Sequence, residues 1–176
     1  MSGRTTILLF VVLITSVAAF SISRKGEAGD GHSPKILKFE TMLGVRGSFT
    51  GDQNPIRGIR GGGLPWVVDS AEGSLRMDGR IEVEIEGLVL DPFDPGVIDR
   101  GLAGINPSPF FKAIVSCIST DEDGEPMVVN VETGLFEATA SGDSEIEDVL
   151  DLPNPCIAPI IFVTSAGGSW FSVTGF

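Results

Sequence analysis

With 12 basic against 24 acidic side chains over 176 residues, the chain has a formal net charge of −12. That argues against a general binder of nucleic acid or of anionic membranes, since both need basic patches. The length suits one domain, 42% hydrophobic residues are enough for a core, and 23 glycines with 11 prolines point to many turns. The acid excess has two readings, solubility or the binding of cations.

Arg4, the apolar run 7–14 and the small residues Ser16-Val17-Ala18-Ala19 have the pattern of a signal peptide over residues 1–19. An uncleaved anchor is the alternative, although the run is shorter than the ~20 residues a span needs. Residues 20–34 read as a flexible lead-in, small, charged and without an apolar period, and they hold the only histidine, His32. Residues 35–176 remain as a single β domain. Such a chain is expected outside the cell or on its surface, with no stable membrane insertion once the signal is removed.

Residues 35–45 read as the first strand, with Leu37, Phe39, Thr41, Leu43 and Val45 on one face. A long loop follows over 47–63. Its Arg57-Gly58-Ile59-Arg60-Gly61-Gly62-Gly63 run can cradle phosphate where it joins a strand to a helix. Here a strand follows instead, which favours a plain connection. Arg57 and Arg60 are still the densest basic spot in an acidic protein.

Residues 64–90 form the stretch that organises the rest. Arg80-Ile81-Glu82-Val83-Glu84-Ile85-Glu86 alternates polar and apolar, the period of a strand with one wet face. Asp78-Gly79 marks the corner. A two-residue corner would pair Leu75 with Glu82 and mix the faces. The three-residue corner Met77-Asp78-Gly79 pairs Leu75 with Ile81, Gly73 with Val83, Ala71 with Ile85 and Val67 with Val89. Its cost is Glu72 opposite Glu84.

Asp91-Pro92-Phe93-Asp94-Pro95-Gly96 is a double turn signal, and residues 97–103 suit a short helical turn. Asp91, Asp94 and Asp99 offer oxygen ligands of the kind Ca²⁺ takes, without the spacing of a helix–loop–helix calcium site. Aspartate before proline also opens ordinary turns. Residues 110–120 and 127–133 read as a second hairpin, closed by Glu122-Asp123-Gly124, with Ser119 opposite Met127 and Cys117 opposite Val129. Short strands are expected over 135–140 and 145–152, a short helix being the alternative for the latter. Residues 157–164 are the most apolar run outside the signal and so read as a central strand, with Pro159 marking an edge or a bulge. Ala166-Gly167-Gly168 then turns the chain, pairing Val163 with Phe171 and Ile161 with Val173.

The sum is eight or nine strands without a long amphipathic helix. An all-β, antiparallel β-sandwich, Ig-like or jelly-roll-like, is expected, with a barrel as the runner-up. Cys117 and Cys156 are expected to pair in an exported chain, free buried thiols being the alternative.

For catalysis the inventory is thin. The sole histidine sits in the lead-in, tyrosine is absent, and paired cysteines leave no thiol nucleophile. Carboxylates remain, such as Glu82, Glu84 and Glu86 along one strand face. Trp66, Trp170, Phe93, Phe110 and Phe111 suit either a ligand platform or a core. Gly61-Gly62-Gly63-Leu64-Pro65-Trp66, Glu86-Gly87-Leu88-Val89-Leu90-Asp91-Pro92, Lys112-Ala113-Ile114-Val115-Ser116-Cys117 and Pro155-Cys156-Ile157-Ala158-Pro159 resemble segments of a group of small secreted single-domain proteins without an assigned activity. The resemblance implies one exported domain and carries no catalytic motif.

The leading expectation is a non-catalytic secreted module that contacts an extracellular polymer or a surface protein. Its working loops would be 47–63 and 91–109, with Arg57, Arg60, Trp66 and Phe93 as contact residues and no cofactor. A calcium-dependent carbohydrate binder using Asp91, Asp94 and Asp99, or a carboxylate-based hydrolase, is the alternative.

Overall fold

Residues 35–45 do not form one strand. In the computed structural model, which describes residues 33–174, they divide into β1 (Lys35–Phe39) and β2 (Met42–Gly44) around a corner at Glu40-Thr41. Phe39 and Met42 are both buried, and an odd spacing cannot put two side chains on one face of a continuous pleat. Leu43, expected inward, is 49% exposed. The corner lets the chain leave one sheet and enter the other. Ser33 and Pro34, the end of the expected lead-in, are held against the first hairpin: the Pro34 carbonyl accepts from the Met77 N–H at 2.8 Å and the Ser33 carbonyl from Arg76 Nη1 at 2.8 Å. The expected signal peptide, 1–19, and the rest of the lead-in with His32 lie outside the described residues.

Beyond a single 3₁₀ turn (Gly47–Phe49), the organising hairpin forms as its alternation dictates. β3 (Trp66–Val67) and β4 (Ser70–Arg76) make its first arm, and β5 (Arg80–Glu86) and β6 (Val89–Leu90) its second. Leu75 faces Ile81, Gly73 faces Val83, Ala71 faces Ile85 and Val67 faces Val89. Gly79 closes the corner at φ 86°, and its N–H donates to the Arg76 carbonyl at 3.0 Å. The ladder breaks near Asp69 and Leu88, so β3 and β6 form a small two-stranded sheet of their own. At the break, Asp143 accepts the Gly87 N–H at 3.0 Å. The Ser141 hydroxyl, the Gly87 amide and the Thr139 hydroxyl hold the Asp143 carboxyl below its usual range.

α1 (Pro95–Ile98) is one turn, starting two residues before the expected 97–103. Pro95 and the capping Asp94 set that start. β7 (Phe110–Thr120) and β8 (Pro126–Glu132) form the second hairpin in the expected register, Cys117 opposite Val129, with Gly124 at φ 82°. β9 (Phe136–Glu137) and β10 (Ser144–Val149) follow, so the 145–152 segment is a strand. β11 (Ile157–Thr164) lies between β7 and the last strand, β12 (Trp170–Thr174), and its pairing slips between Ile157 and Ile160, where Pro159 sits.

The third corner turns at 166–168 as expected, but the pairing beyond it is shifted by one residue. Thr164 faces Trp170, while Val163 faces Ser172 and Phe162 faces Val173. The extra residue is Phe171. The bulge serves two adjacent aromatics that pack in different places: Trp170 lies 6.1 Å from Phe162 and 6.5 Å from Phe49, whereas Phe171 stacks on Trp66.

Besides the small β3–β6 sheet, two larger antiparallel sheets result, in the orders β1-β4-β5-β10 and β2-β12-β11-β7-β8, with β9 also on β7. Leu75, Ile81, Val83, Ile85 and Ile146 from the first share one core with Phe111, Val115, Ile161 and Val163 from the second. The fold is a β-sandwich, and the sheets do not close into a barrel. Twelve strands replace the expected eight or nine among the described residues, because corners and ladder breaks divide segments that read as continuous. Cys117 and Cys156 are disulfide-bonded, Cα to Cα 4.9 Å, joining β7 to the entry of β11.

The outer face of the first sheet carries a row of like charges, with Glu72 opposite Glu84 and Glu84 opposite Glu145. Directly opposed like charges are unfavourable by a few tenths of a kcal/mol each. Glu84→Lys turns both contacts attractive and is expected to raise the urea-unfolding free energy by about 1 kcal/mol at low salt, the gain shrinking near 1 M salt. A salt-independent gain, or a loss, would contradict this.

Candidate functional site: an apolar cleft at one end of the sandwich

Loop 91–109 is fixed by its own polar groups. Asp91 accepts the Phe93 N–H at 2.9 Å, and Asp94 accepts the Val97 N–H at 3.0 Å. Its backbone is bound to the small sheet: the Asp91 N–H donates to the Pro65 carbonyl at 2.9 Å and the Gly104 N–H to the Leu90 carbonyl at 3.0 Å. Buried Asn106 donates from Nδ2 to the Ser108 and Thr139 carbonyls, both at 2.8 Å. A loop tied at this many points holds its side chains in place before any ligand arrives.

Between this loop, the β3–β6 sheet and the corner before β12 lies a cleft of about 600 Å³. Trp66 and Phe171 stack on its floor with ring centroids 3.9 Å apart, and Phe171 meets Phe111 edge-on at 5.8 Å. Leu64, Leu90 and Leu102 extend the apolar lining, and Arg100 and Ser165 supply polar groups. Its size falls within the ~300–1,000 Å³ of ligand sites, and mostly apolar walls with a few polar groups are their usual make-up. A second depression, about 320 Å³, lies over the acidic outer face between Lys38, Glu72, Glu82 and Glu147. Its polar lining leaves little apolar surface to remove from water, so the cleft is the stronger site.

The four residues expected to form one contact surface are put to different uses. Trp66 is in the cleft floor, 4% exposed. Phe93 stands on loop 91–109 with 87% of its surface exposed. Arg57 is a brace: Nη1 donates to the Ser116 carbonyl at 2.7 Å and Nη2 to the Ala158 carbonyl at 2.9 Å. Arg60 donates from Nε to Ser169 Oγ at 3.0 Å. With them, loop 47–63 lies along the second sheet instead of standing free. Its glycines are backbone contacts: the Gly62 N–H donates to the Trp170 carbonyl at 2.8 Å, and a Cβ on Gly61 would come within 2.0 Å of the Phe49 carbonyl. That run is a tight connection that meets the cleft only at Gly63, whereas loop 91–109 forms one of its walls.

Nor does the structure assemble the expected calcium ligands. Asp91 and Asp94 direct their carboxylates at backbone N–H groups, and Asp99 is an exposed residue at the end of α1. Among the described residues no group of three or more Asp, Glu, His or Cys side chains is arranged to hold a metal ion. No helix among them is long and apolar enough to cross a membrane.

Leu90, Leu102, Arg100 and Phe171 are cleft residues that reading the chain did not single out. Leu102 gave the one local signal, an apolar side chain within a loop of Gly, Asp and Pro. No protein-family model, curated protein or solved structure matches the chain.

Proposed function

We propose that this chain is a non-catalytic binding module that works outside the cell or at its surface and grips an apolar stretch of an extracellular polymer or surface protein in the end cleft. The apolar cleft, floored by the stacked pair Trp66–Phe171 between a fixed loop and a corner, carries this reading. Rings already fixed by stacking lose little freedom when a ligand settles against them. Export is supported by the signal-like residues 1–19 and by the Cys117–Cys156 bond, which belongs to oxidising compartments.

Fluorescence tests it directly. The chain has two tryptophans and no tyrosine, so Trp170→Phe leaves Trp66 as the sole strong emitter. Titrating that variant with 1-anilinonaphthalene-8-sulfonate is expected to quench Trp66 by energy transfer as the dye enters the cleft. Adding Leu102→Glu is expected to weaken dye binding about tenfold, roughly 1.4 kcal/mol, with the melting temperature little changed. Equal dye binding with and without Leu102→Glu would remove the cleft as the site. A glycan array probed with both proteins then identifies the natural polymer.

A further inference from the structure

A second surface stands apart from the cleft and does not depend on it. β8 pairs with β7 on one side and with no described strand on the other. The hydrogen-bond phase follows from its ends. The Asp121 N–H donates to the Glu125 carbonyl at 3.0 Å, and the Thr133 N–H to the Ala113 carbonyl at 3.0 Å. Bonded and non-bonded pairs alternate in an antiparallel ladder, so Met127, Val129 and Val131 bond to β7. Val128, Asn130 and Glu132 therefore direct their N–H and C=O groups to the open side.

Exposed edges are usually blunted by lysine, proline, a bulge or short length. β1, an edge of the other sheet, carries Lys35 and Lys38 and a register slip. β2, the opposite edge of the sheet that holds β8, is three residues long. β8 spans seven residues in unbroken register, and after Pro126 its run Met127-Val128-Val129-Asn130-Val131 is uncharged. Met127 is 43% exposed and Val128 45%. Acidic charge stands at one end, with Asp121, Glu122, Asp123 and Glu125 around the corner; at the other, Glu132 is ion-paired with Lys112 at 2.6 Å.

We propose that β8 is a docking edge for an extended peptide segment with alternating apolar residues and Lys or Arg at the end beside the acidic corner, which adds to the sheet as a further strand. The open backbone groups supply affinity, and the acidic corner chooses the partner's charge. A second copy of this chain fits less well, because β8 carries no Lys or Arg to meet the acidic corner of its partner.

The probe is the peptide acetyl-Lys-Val-Thr-Val-Thr-Val-Lys-amide, with amide hydrogen exchange followed residue by residue by NMR. Saturating peptide is expected to slow the Val128, Asn130 and Glu132 amides about tenfold or more, leaving Met127, Val129 and Val131 unchanged. The same peptide with Glu in place of both Lys is expected to bind at least about tenfold more weakly, the gap closing near 1 M salt. Val128→Pro removes an outward donor at a position where an edge strand tolerates proline, and is expected to weaken binding about tenfold. If that variant does not fold, the exchange pattern of the unsubstituted protein still decides. Unaltered even-numbered amides at millimolar peptide, or equal binding of the Glu peptide, would overturn the proposal. So would protection of those amides that rises with protein concentration alone, which would assign the edge to a second copy.

Discussion

Gly79→Ala is expected to cost about 3–5 kcal/mol of folding stability, whereas Gly124→Ala is expected to cost about 1 kcal/mol. Both glycines close three-residue corners at nearly the same backbone angle, φ 86° and 82°. The strain of a side chain at positive φ is therefore common to the two substitutions, about 1–2 kcal/mol at most. Their surroundings differ. A Cβ on Gly79 would lie 1.8 Å from the Leu150 carbonyl oxygen, and the Leu150 N–H donates to the Gly79 carbonyl at 2.9 Å. Relief means moving backbone that is hydrogen-bonded to the corner itself. Around Gly124 nothing lies within 4 Å of an added Cβ. Urea unfolding of the two variants measures the difference, and equal losses would show that the segment after β10 does not close over the first corner.

Breaking the Cys117–Cys156 bond is expected to lower stability by about 4 kcal/mol on the chain-entropy account of its loop, which spans a sequence separation of 39. The site adds a local effect. Next to the bond, β11 slips out of register between Ile157 and Ile160, so the β7–β11 ladder is interrupted there. The disulfide and the Arg57 bonds to the Ser116 and Ala158 carbonyls bracket that gap. Urea unfolding with and without dithiothreitol gives the global loss, and Cys117→Ala with Cys156→Ala removes the thiols. Amide exchange at Ser116 to Ile118 is expected to quicken before the rest of β7 responds. Unchanged stability after verified reduction would mean that strand pairing and the Arg57 brace suffice alone.

The second hairpin was legible from its Asp123-Gly124 corner, since β7 holds apolar residues in succession, and the first because two independent signals agree. Alternation fixes which residues share a face, and an Asp-Gly pair fixes the corner, leaving one register that satisfies both. The third hairpin shows the limit. Its glycine corner was readable, but Trp170 and Phe171 are neighbours that pack in different places, and only the three-dimensional partners, Phe49 and Phe162 against Trp66 and Phe111, reveal that a bulge is needed. The first strand misled for a related reason. Leu37, Phe39, Thr41, Leu43 and Val45 keep a period of two across Glu40-Thr41, yet the chain changes sheets there. Trp66 was legible as a contact residue by its type. Leu90, Leu102 and Phe171 join it only through folding, from segments that carry no common pattern. Arg57 illustrates the opposite error: a cation in an acidic protein suggests a ligand contact, and its guanidinium instead binds carbonyls of two strands.

The seating of β2 bears on how the protein is made. Its only ladder partner among the described residues is β12, with Ser172 and Met42 touching across 130 positions of sequence. While the ribosome is still issuing the residues before Trp170, that early segment has nothing to zip onto, and the apolar side chains of Met42 and Val45 stay without their final cover. A nascent or prematurely ended chain is therefore open to chaperones and proteases until its closing strand emerges, and a contact this distant makes the ring-closing step slow.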